Sequence, residues 1–372
     1  MKKITAGILA FCLLLSVYSV LAPPTRDVII VFYDKADVGL VSQHGQVHHV
    51  FSIIPAIGAI LPEPAIEALS KNPNVKYIED NYVIQLDPVQ VSGDVQPLAQ
   101  TLPWGVNRID ADLAWAYSTG SGVKVGIIDT GIDMDHPDLA ANIKGGYNCI
   151  TETSNFDDDN GHGSHCAGIV AAINNSIGVV GVAPNAWLYG IKVLNRRGSG
   201  YTTDCIQGIQ WCKNNGMDVI SMSWGSTTYS QAMHDACDAA WNAGCFLVGA
   251  AGNSGNTNII YPAKYDSVVA ISATDSSDNL AYFSCYGSQI FLAAPGVSIY
   301  SCYRGGSYAT MSGTSMACPH VSGVAALIWA RYPSYSNSQV KSRLQNTAED
   351  LGSPGWDIYF GYGLVDAQAA VI

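Results

Sequence analysis

The sequence predicts an α/β fold, a doubly wound parallel sheet with helices on both faces, preceded by a small α+β unit. Three observations support this prediction. From residue 99 onwards, short apolar segments alternate with longer segments of helical pattern. The apolar segments are nearly continuous, as in strands that are covered on both faces. Polar residues stand at the carboxyl ends of two of them, Asp129 as the last residue of one and Ser223 as the last but one of another, and such sheets bind ligands at the carboxyl ends of their strands.

The elements of the large domain follow from this alternation. Strands are predicted over residues 123–129, 188–194, 218–224, 245–251, 268–273 and 291–294. Helices are predicted over residues 163–173, 202–215, 231–243, 315–331 and 337–348. Because parallel strands need crossover connections, helices between the strands are what a parallel sheet requires.

The first residues of the chain suggest export. Lys2 and Lys3 precede an uncharged run over residues 4–25, which contains the segment Val-Leu-Ala at 20–22. This order is typical of a signal peptide, so we assign residues 1–22 to one and expect a secreted, extracellular protein. A transmembrane anchor is the alternative, because the run reaches the roughly 20 residues that a spanning helix needs. Small and polar residues interrupt the run and favour the signal peptide.

Residues 23–86 are predicted to form a separate small α+β domain. It has a strand over 28–33, a partly alternating segment over 47–54, a short helix over 63–70 and a final extended segment over 75–86. Residues 87–98 are polar, contain two prolines and lack periodicity, so they are interpreted as a linker. Residues 99–372 then form the large domain.

Composition limits the classes of partner. The chain has 372 residues, of which 48% are hydrophobic and 13% charged, which suits a large core. Its net charge of −12 argues against a nucleic-acid partner. Of the 10 cysteines, Cys12 would leave with the signal peptide, so at least one of the rest is unpaired. Cys285 with Cys302 is a candidate disulfide. Cys205 and Cys212 lie about 10.5 Å apart along one helix, too far to bridge.

Three residues carry the chemistry of a hydrolase. Ser315 follows a glycine turn into a helix, where free backbone N–H groups and the helix dipole can hold a developing negative charge. A serine hydroxyl needs a base, and His162 lies between glycines at the start of another helix. Asp129 ends a buried strand, where it can accept the ring N–H of His162. The order Asp, His, Ser differs from the orders found in chymotrypsin-like enzymes and in α/β-hydrolases.

The segments around these residues, 127–131, 161–168 and 313–320, resemble the three active-site blocks of the subtilisin-like serine proteases, the subtilases. The similarity runs from about residue 99 to the end. It implies a secreted serine endopeptidase that acts through an acyl-enzyme and is made as a self-processing zymogen. Residues 23–86 would be its ferredoxin-like inhibitory propeptide and intramolecular chaperone, with Leu86 nearest to Ser315 at the cleavage position. Cys166 resembles the cysteine of the thermitase- and proteinase-K-like branch, a free thiol beneath the histidine.

The resemblance extends to the substrate site. Asn253 resembles the asparagine of the oxyanion hole, although an asparagine in a glycine loop can also serve a left-handed turn. The resemblance implies six substrate-binding residues, of which the first three pair with the peptide backbone and the others line the primary pocket: Ser223, Trp224, Gly225, Ala250, Gly252 and Ile260. No carboxylate is evident to attract a basic side chain, so an apolar preference is expected.

Calcium is the expected cofactor. The resemblance implies side-chain ligands from Gln100, Asp138 and Asn175 and carbonyl ligands from Ile173, Ile177 and Val179. Six oxygens suit calcium, which takes six to eight. The acidic segment 157–161 suggests an EF-hand, but glycine stands at the twelfth position where glutamate is required. A zinc site at His162 and His165 lacks a tetrahedral ligand set.

Two other functions use the same residues. One is a catalytically silent binding module with the subtilase fold, against which the intact set of Asp129, His162, Ser315 and Asn253 argues. The other is an esterase or peptide ligase with the same triad, which the sequence leaves open. The expected partners are protein or peptide substrates and the chain's own propeptide, without nucleic acid, and we expect a monomer.

Overall fold

The computed structural model describes residues 23–86, 90–94 and 99–372. The predicted signal peptide, residues 1–22, lies outside the described residues, as does most of the predicted linker. Among the described residues, no helix combines the length and the hydropathy that a membrane span requires.

The strands of the described residues are β1 (Thr25–Phe32), β2 (Gln46–Val50), β3 (Ala56–Pro62), β4 (Val75–Asp80), β5 (Val83–Gln85), β6 (Gln90–Asp94), β7 (Lys124–Asp129), β8 (Ile143–Asn148), β9 (Trp187–Lys192), β10 (Ser199–Tyr201), β11 (Val219–Met222), β12 (Phe246–Ala250), β13 (Val268–Thr274), β14 (Ile290–Pro295), β15 (Ile299–Tyr303) and β16 (Ser307–Ser312). The helices are α1 (Val38–Ser42), α2 (Glu63–Ser70), α3 (Trp104–Arg108), α4 (Ala111–Ala114), α5 (His162–Ala171), α6 (Thr202–Asn214), α7 (Gln231–Asn242), α8 (Thr314–Arg331), α9 (Asn337–Thr347) and α10 (Ala367–Val371).

The large domain is built on a seven-stranded sheet in the order β14-β13-β12-β11-β7-β9-β8. Every neighbouring pair in it is parallel. Helices α5 and α8 share one hydrophobic cluster with one face of the sheet, while α6 and α7 share a second cluster with the other face. The predicted doubly wound α/β fold is therefore confirmed, with β8 as an additional strand.

Helix α8 is the central element of the first face. It is buried from Thr314 to Trp329, so neither side of it faces water. Small residues make this burial compatible with close packing: a Cβ added at Gly323 would lie only 2.6 Å from the Cβ of Val182. Because the helix begins at Thr314, its N-terminus lies at the carboxyl edge of the sheet, where β7, β11 and β12 end.

The N-terminal unit is a four-stranded antiparallel sheet in the order β2-β3-β1-β4. Helices α1 and α2 share a hydrophobic cluster with one face, through residues such as Ile30 and Leu69. The opposite face contributes Ile29 and Val31 to the cluster of α6 and α7. The predicted α+β architecture is thus present, and its second face packs on the large domain.

The nine cysteines among the described residues are all free and buried. The suggested disulfide between Cys285 and Cys302 is therefore wrong. The two residues belong to separate hydrophobic clusters, Cys285 with Ala251 and Ile259, and Cys302 with the α5 and α8 face of the sheet. Because the two cysteines pack in different clusters, they do not form a disulfide although only 16 residues separate them in the sequence.

Candidate active site

Asp129 and His162 form a buried pair at the carboxyl edge of the sheet. Asp129 is the last residue of β7 and His162 the first residue of α5. Nδ1 of His162 lies 2.8 Å from Oδ1 and 3.0 Å from Oδ2 of Asp129. The side chains are 1% and 0% exposed. Since a carboxylate accepts only, the imidazole donates from Nδ1, which fixes its tautomer.

The electrostatics of this pair suit a base. Burial lowers the pKa of His162, but the Asp129 carboxylate and the neighbouring Cys166 together outweigh burial, so the pKa lies well above its ordinary value. Nε2 of His162 is buried and has no hydrogen-bond partner among the described residues. A buried ring nitrogen without a partner is uncommon, and it is the atom that could accept a proton.

Ser315 is the second residue of α8 and is 2% exposed. Its Oγ donates to the backbone carbonyl of Ser223 at 2.9 Å, and Oγ of Ser223 donates back to the carbonyl of Ser315 at 3.0 Å. The hydroxyl is therefore held on the end of β11 rather than on His162. Hydrogen bonds between such groups are often absent without substrate and form in the reacting complex.

Asn253 follows β12 and is fixed against the start of α8. Its Oδ1 accepts from the backbone N–H of Thr314 at 2.8 Å and from the Thr314 hydroxyl at 2.9 Å. The same hydroxyl accepts from the N–H of Gly252 at 3.0 Å. Because Oδ1 faces Thr314, the amide nitrogen of Asn253 is turned away from it. The backbone N–H of Ser315 belongs to the first turn of α8, whose N–H groups lack partners within the helix.

Cys166 lies beneath the imidazole. Its Sγ is 3.9 Å from Nδ1 of His162 and donates to the carbonyl of Ser315 at 3.4 Å. Burial raises the pKa of this thiol, so it stays protonated and is a poor nucleophile. Donor atoms of Asp129, His162 and Cys166 lie within 4.8 Å of one another, but the hydrogen bond between Asp129 and His162 already occupies two of them.

His165 takes no part in this cluster. Its Nε2 lies 3.1 Å from the carbonyl oxygens of both Ile299 and Ala309. Burial lowers its pKa to about 3, so it is neutral and donates to these carbonyls. It joins α5 to the hairpin of β15 and β16, which is a structural role.

A cleft runs along the edge of the site and is filled by the chain itself. Strand β5 pairs antiparallel with β10, with Ile84 opposite Gly200. On its other side, Gln85 forms an antiparallel bridge with Gly225. Residues 83–85 therefore lie as the middle strand between Ser199–Tyr201 and the segment 223–225. Ile84 is 5% exposed and lies among Trp224, Met233 and Tyr265.

The other predicted substrate residues surround Gly225. A Cβ at Gly225 would lie 2.6 Å from Cδ1 of Ile260, so the two residues are in direct contact. The N–H of Ile260 donates to the carbonyl of Ala251 at 3.1 Å, next to Ala250 at the end of β12. The indole of Trp224 donates to the carbonyl of Ile128 at 2.6 Å, which ties the cleft floor to β7. The structure thus brings the six residues together at one edge of the sheet.

Sequence reasoning missed β10, the opposite wall of the cleft. It has three residues, Ser-Gly-Tyr, with neither apolar character nor alternation to indicate a strand. A Cβ at Gly198, immediately before it, would lie 2.7 Å from Cδ1 of Leu86. The glycines at 198 and 200 could have indicated this wall of the cleft, because glycine in a strand often marks the close approach of another backbone.

The predicted calcium ligands gather in the loop after α5. Nε2 of Gln100 lies 2.8 Å from the carbonyl oxygen of Ile173 and 3.3 Å from that of Val179. Nδ2 of Asn175 lies 2.6 Å from Oδ1 of Asp138. Five of the six predicted ligands therefore converge. The sixth, Ile177, donates its N–H to Oδ1 of Asn175 at 2.7 Å and closes the loop.

This ligand set fits calcium by its chemistry. Two carbonyl oxygens converge on one side-chain amide, and either end of an amide can face such a site. Turning the Gln100 amide over would place its oxygen beside the carbonyl oxygens of Ile173 and Val179 and beside Oδ1 of Asn175, which lies 3.4 Å from Nε2 of Gln100. The Asp138 carboxylate contacts the other end of the Asn175 amide. Hard cations of calcium's size prefer oxygen ligands of this kind.

Comparison with known proteins agrees with the geometry. The profile of the subtilase family matches residues 120–363. The chain is 47% identical to a thermostable alkaline protease of Halalkalibacterium halodurans over 87% of this chain and 84% of the relative. It is 44% identical to M-protease of Shouchella clausii, over 90% of this chain and 85% of the relative. It is equally 44% identical to subtilisin E of Bacillus subtilis, over 90% and 85%.

Proposed function

The chain belongs to the subtilase family of serine endopeptidases, and we propose that Asp129, His162 and Ser315 are its catalytic triad. The observation that carries the proposal is the buried contact of 2.8 Å between His162 Nδ1 and Asp129 Oδ1, with Nε2 left without a partner among the described residues. A base oriented in this way can take the proton of Ser315.

The proposed reaction follows from these positions. Ser315 Oγ leaves the Ser223 carbonyl, transfers its proton to Nε2 of His162 and attacks the peptide carbonyl carbon. The oxygen of the tetrahedral intermediate is held by the N–H of Ser315 and the amide of Asn253. His162 then protonates the leaving amine, which gives the acyl-enzyme, and water reverses the sequence. Asp129 stays ionised and stabilises the imidazolium.

A fluorophosphonate probe tests this assignment. We expect peptide mapping to find the label on Ser315, and His162→Ala to label far more slowly because the base is gone. Casein and a p-nitrophenyl ester are assayed beside it, since an esterase without proteolytic activity would cleave only the second. A wild-type protein that neither takes the label nor cleaves casein would be a binding module, and a label on another serine would overturn the triad.

The substrates are proteins or peptides, and we propose that they bind in extended form where β5 now lies. A peptide between Ser199–Tyr201 and Gly225 would gain main-chain hydrogen bonds on both sides without regard to its sequence. Side chains then add preference. The site around Ile84 is apolar and aromatic, and Ile260 against Gly225 gives the primary pocket an apolar wall, so we propose an apolar preference.

We propose that residues 23–86 are an inhibitory propeptide. The support is twofold. Residues 83–85 fill the cleft that a substrate would need. The Glu79 carboxylate also caps α7: Oε1 accepts from Ser230 Oγ at 2.5 Å, and Oε2 accepts from the N–H of Gln231 at 2.9 Å. Asn81 does the same for α6, accepting from the N–H of Thr203 at 3.0 Å.

The register of β5 bears on the cleavage position, for which the sequence predicts Leu86. Gln85 faces Gly225, and the N–H of Leu86 donates to Gly198 on the opposite wall at 2.8 Å. In an antiparallel pair, the residue that faces Ser223 must come two positions after the residue that faces Gly225. Leu86 follows Gln85 by only one position, so in this register it does not face Ser223. The carbonyl of Ser223 is the group that accepts from Ser315 Oγ. We therefore propose that the first cut falls beyond Leu86, with later trimming of the linker.

We propose that the protein is secreted, with residues 1–22 as the signal peptide that the sequence predicts. The related alkaline proteases and subtilisins and the zymogen arrangement support this proposal. A propeptide that closes the cleft until export is complete would protect the producing cell from proteolysis.

We propose calcium as the structural cofactor, held by Gln100, Asp138, Ile173, Asn175, Ile177 and Val179. These residues join the start of the large domain to α5 and to the loop after it. The ion would act on stability rather than on the reaction, because no ligand belongs to the proposed triad or to the cleft.

Removing calcium should lower the thermal midpoint of the mature enzyme. An ion at a hundred times its Kd stabilises the native state by about 2.7 kcal/mol, which corresponds to roughly 5–10 °C in a domain of this size. Differential scanning calorimetry with and without a chelator measures the difference. Asp138→Asn should reduce the response, whereas Asp238→Asn, on the opposite face of the sheet, should keep it. An unchanged midpoint in excess chelator would remove the site.

A further inference from the structure

Asp158 is a buried carboxylate between the two segments that carry the proposed Asp129–His162 pair. It lies in the acidic segment 157–161, which is not an EF-hand, and it is 5% exposed. A buried carboxylate costs free energy unless hydrogen bonds compensate it. Five do. Oδ1 accepts from Oγ1 of Thr130 and from the N–H groups of Asn160 and Gly161, each at 2.9 Å. Oδ2 accepts from the N–H of Ser164 at 2.9 Å and from its hydroxyl at 2.7 Å.

One group of these contacts fixes α5. The N-cap residue of α5 is Gly161, which has no side chain with which to cap the first turn. Asp158 supplies that cap from three residues earlier by accepting from Ser164 and Gly161. A carboxylate at this position is favourable for the helix dipole as well. The first residue of the turn that Asp158 holds is His162.

The contact of Asp158 with Thr130 leads to Asp129. The N–H of Thr130 donates to Oδ1 of Asp129 at 2.7 Å, so Thr130 orients that carboxylate. The hydroxyl of Thr130 donates to Asp158 and accepts from the N–H of Gly163 at 2.9 Å. Lys192 holds the carbonyl of Thr130 at 2.5 Å from the other side. Asp158 therefore connects the turn after β7, which follows Asp129, to the first turn of α5, which begins with His162.

We propose that Asp158 is a positioning residue for the reaction, which sets the distance and orientation of Asp129 relative to His162. The proposal rests on the triad proposed above. Asp158 touches neither of the two side chains itself and acts through Thr130 and the first turn of α5. The carboxylate is suited to the task because it accepts five hydrogen bonds, whereas an amide has only one acceptor oxygen.

The test is the steady-state kinetics of the mature enzyme with a peptide substrate. Asp158→Ala should lower kcat by roughly 10²-fold, which is the effect of a misplacement of about 1 Å, with KM little changed because the cleft is not altered. Asp158→Asn keeps an oxygen for Thr130 and Gly161 but loses the acceptor for Ser164, so it should recover only part of the loss. The control is Asp157→Ala, an exposed neighbour whose Oδ1 accepts from the N–H of Met134 at 3.1 Å. It should match the wild type.

The pH profile separates positioning from a general loss of stability. Asp129 raises the pKa of His162, and the base is lost as pH falls through that pKa. If Asp158→Ala loosens the contact, the pKa of His162 is raised less, so the acidic limb of kcat/KM moves to lower pH. If Asp158→Ala does not fold, the smaller shift of the same sign in Asp158→Asn provides the test.

An unchanged kcat and an unchanged acidic limb in folded Asp158→Ala would overturn the proposal. This failure differs from a failure of the triad. In the first case the wild type still takes the fluorophosphonate label on Ser315, and in the second it does not.

Discussion

Ser315→Ala is expected to abolish proteolysis and to leave the chain uncut between the N-terminal unit and the large domain. Without the hydroxyl no acyl-enzyme can form. In subtilisin, loss of the serine lowers kcat by about 2 × 10⁶, and the oxyanion hole and substrate binding leave a residual rate about 10³–10⁴ above that of the uncatalysed reaction. Casein digestion, intact mass and N-terminal sequencing measure the two effects together.

The variant should fold, which makes the result interpretable. Ser315 Oγ has one hydrogen bond as donor, to the Ser223 carbonyl, and losing such a bond costs about 1 kcal/mol. Ser322→Ala is the matched control, since Ser322 is also a buried serine of α8 and its Oγ donates to Ser221 Oγ at 3.0 Å. It should remain active. If Ser315→Ala matured normally and digested casein, the triad would be wrong.

The wild type should show the complementary products. Its first new N-terminus should lie beyond Asp87, because the first cut is proposed to fall beyond Leu86, and a second should lie near Ala99, once the linker is trimmed. An active enzyme that keeps residues 26–86 covalently attached would contradict the propeptide proposal, even with the triad intact.

The central sheet could be predicted because its strands are uniformly apolar. In β7 every residue from Val125 to Asp129 is buried. A short apolar segment between helical segments has few possible structures other than a buried strand. Strand β8 could not be predicted in this way. Its sequence, Ile-Lys-Gly-Gly-Tyr-Asn, is polar and rich in glycine, and only its last residue is buried. It is a strand because it lies parallel to β9 at the edge of the sheet.

The hairpin of β15 and β16 was missed for a related reason. Strand β16 is Ser-Tyr-Ala-Thr-Met-Ser, which has too little apolar character to stand out. It pairs with β15 on one side and with β6 on the other. Such strands are specified by their partners, which lie far away in sequence, and a local pattern carries little information on them.

The components of the candidate site could be predicted from the sequence, but their arrangement could not. Asp129, His162 and Ser315 stand in short motifs, and chemistry restricts which residues can fill them. By contrast, the contact of Ser315 with Ser223 joins residues 92 positions apart. Asp158 lies in the acidic segment that the sequence suggests only as an EF-hand, and its contact with Thr130 spans 28 positions. Only the fold reveals that this carboxylate belongs to the neighbourhood of the proposed triad.

Asn253→Ala is the second substitution from which a large effect is expected, a loss of about 10²–10³ in kcat with KM little changed. That magnitude is the one found when the corresponding donor is removed in subtilisin. The reason is that the amide would bind the oxyanion, which exists only once the carbonyl has been attacked, so the transition state loses more than the ground state. Steady-state kinetics on a peptide substrate gives both constants.

Asn253 has a structural contact that must be separated from this role. Its Oδ1 accepts from the N–H and the hydroxyl of Thr314, so Asn253→Ala also removes an anchor at the start of α8. Asn253→Asp keeps an oxygen for Thr314 and replaces the donor by a second acceptor, next to the position where negative charge develops. If the asparagine only anchored α8, Asn253→Asp would be nearly as active as the wild type. If it donates to the oxyanion, Asn253→Asp should lose at least as much kcat as Asn253→Ala, whereas Asn256→Ala in the same loop should lose little.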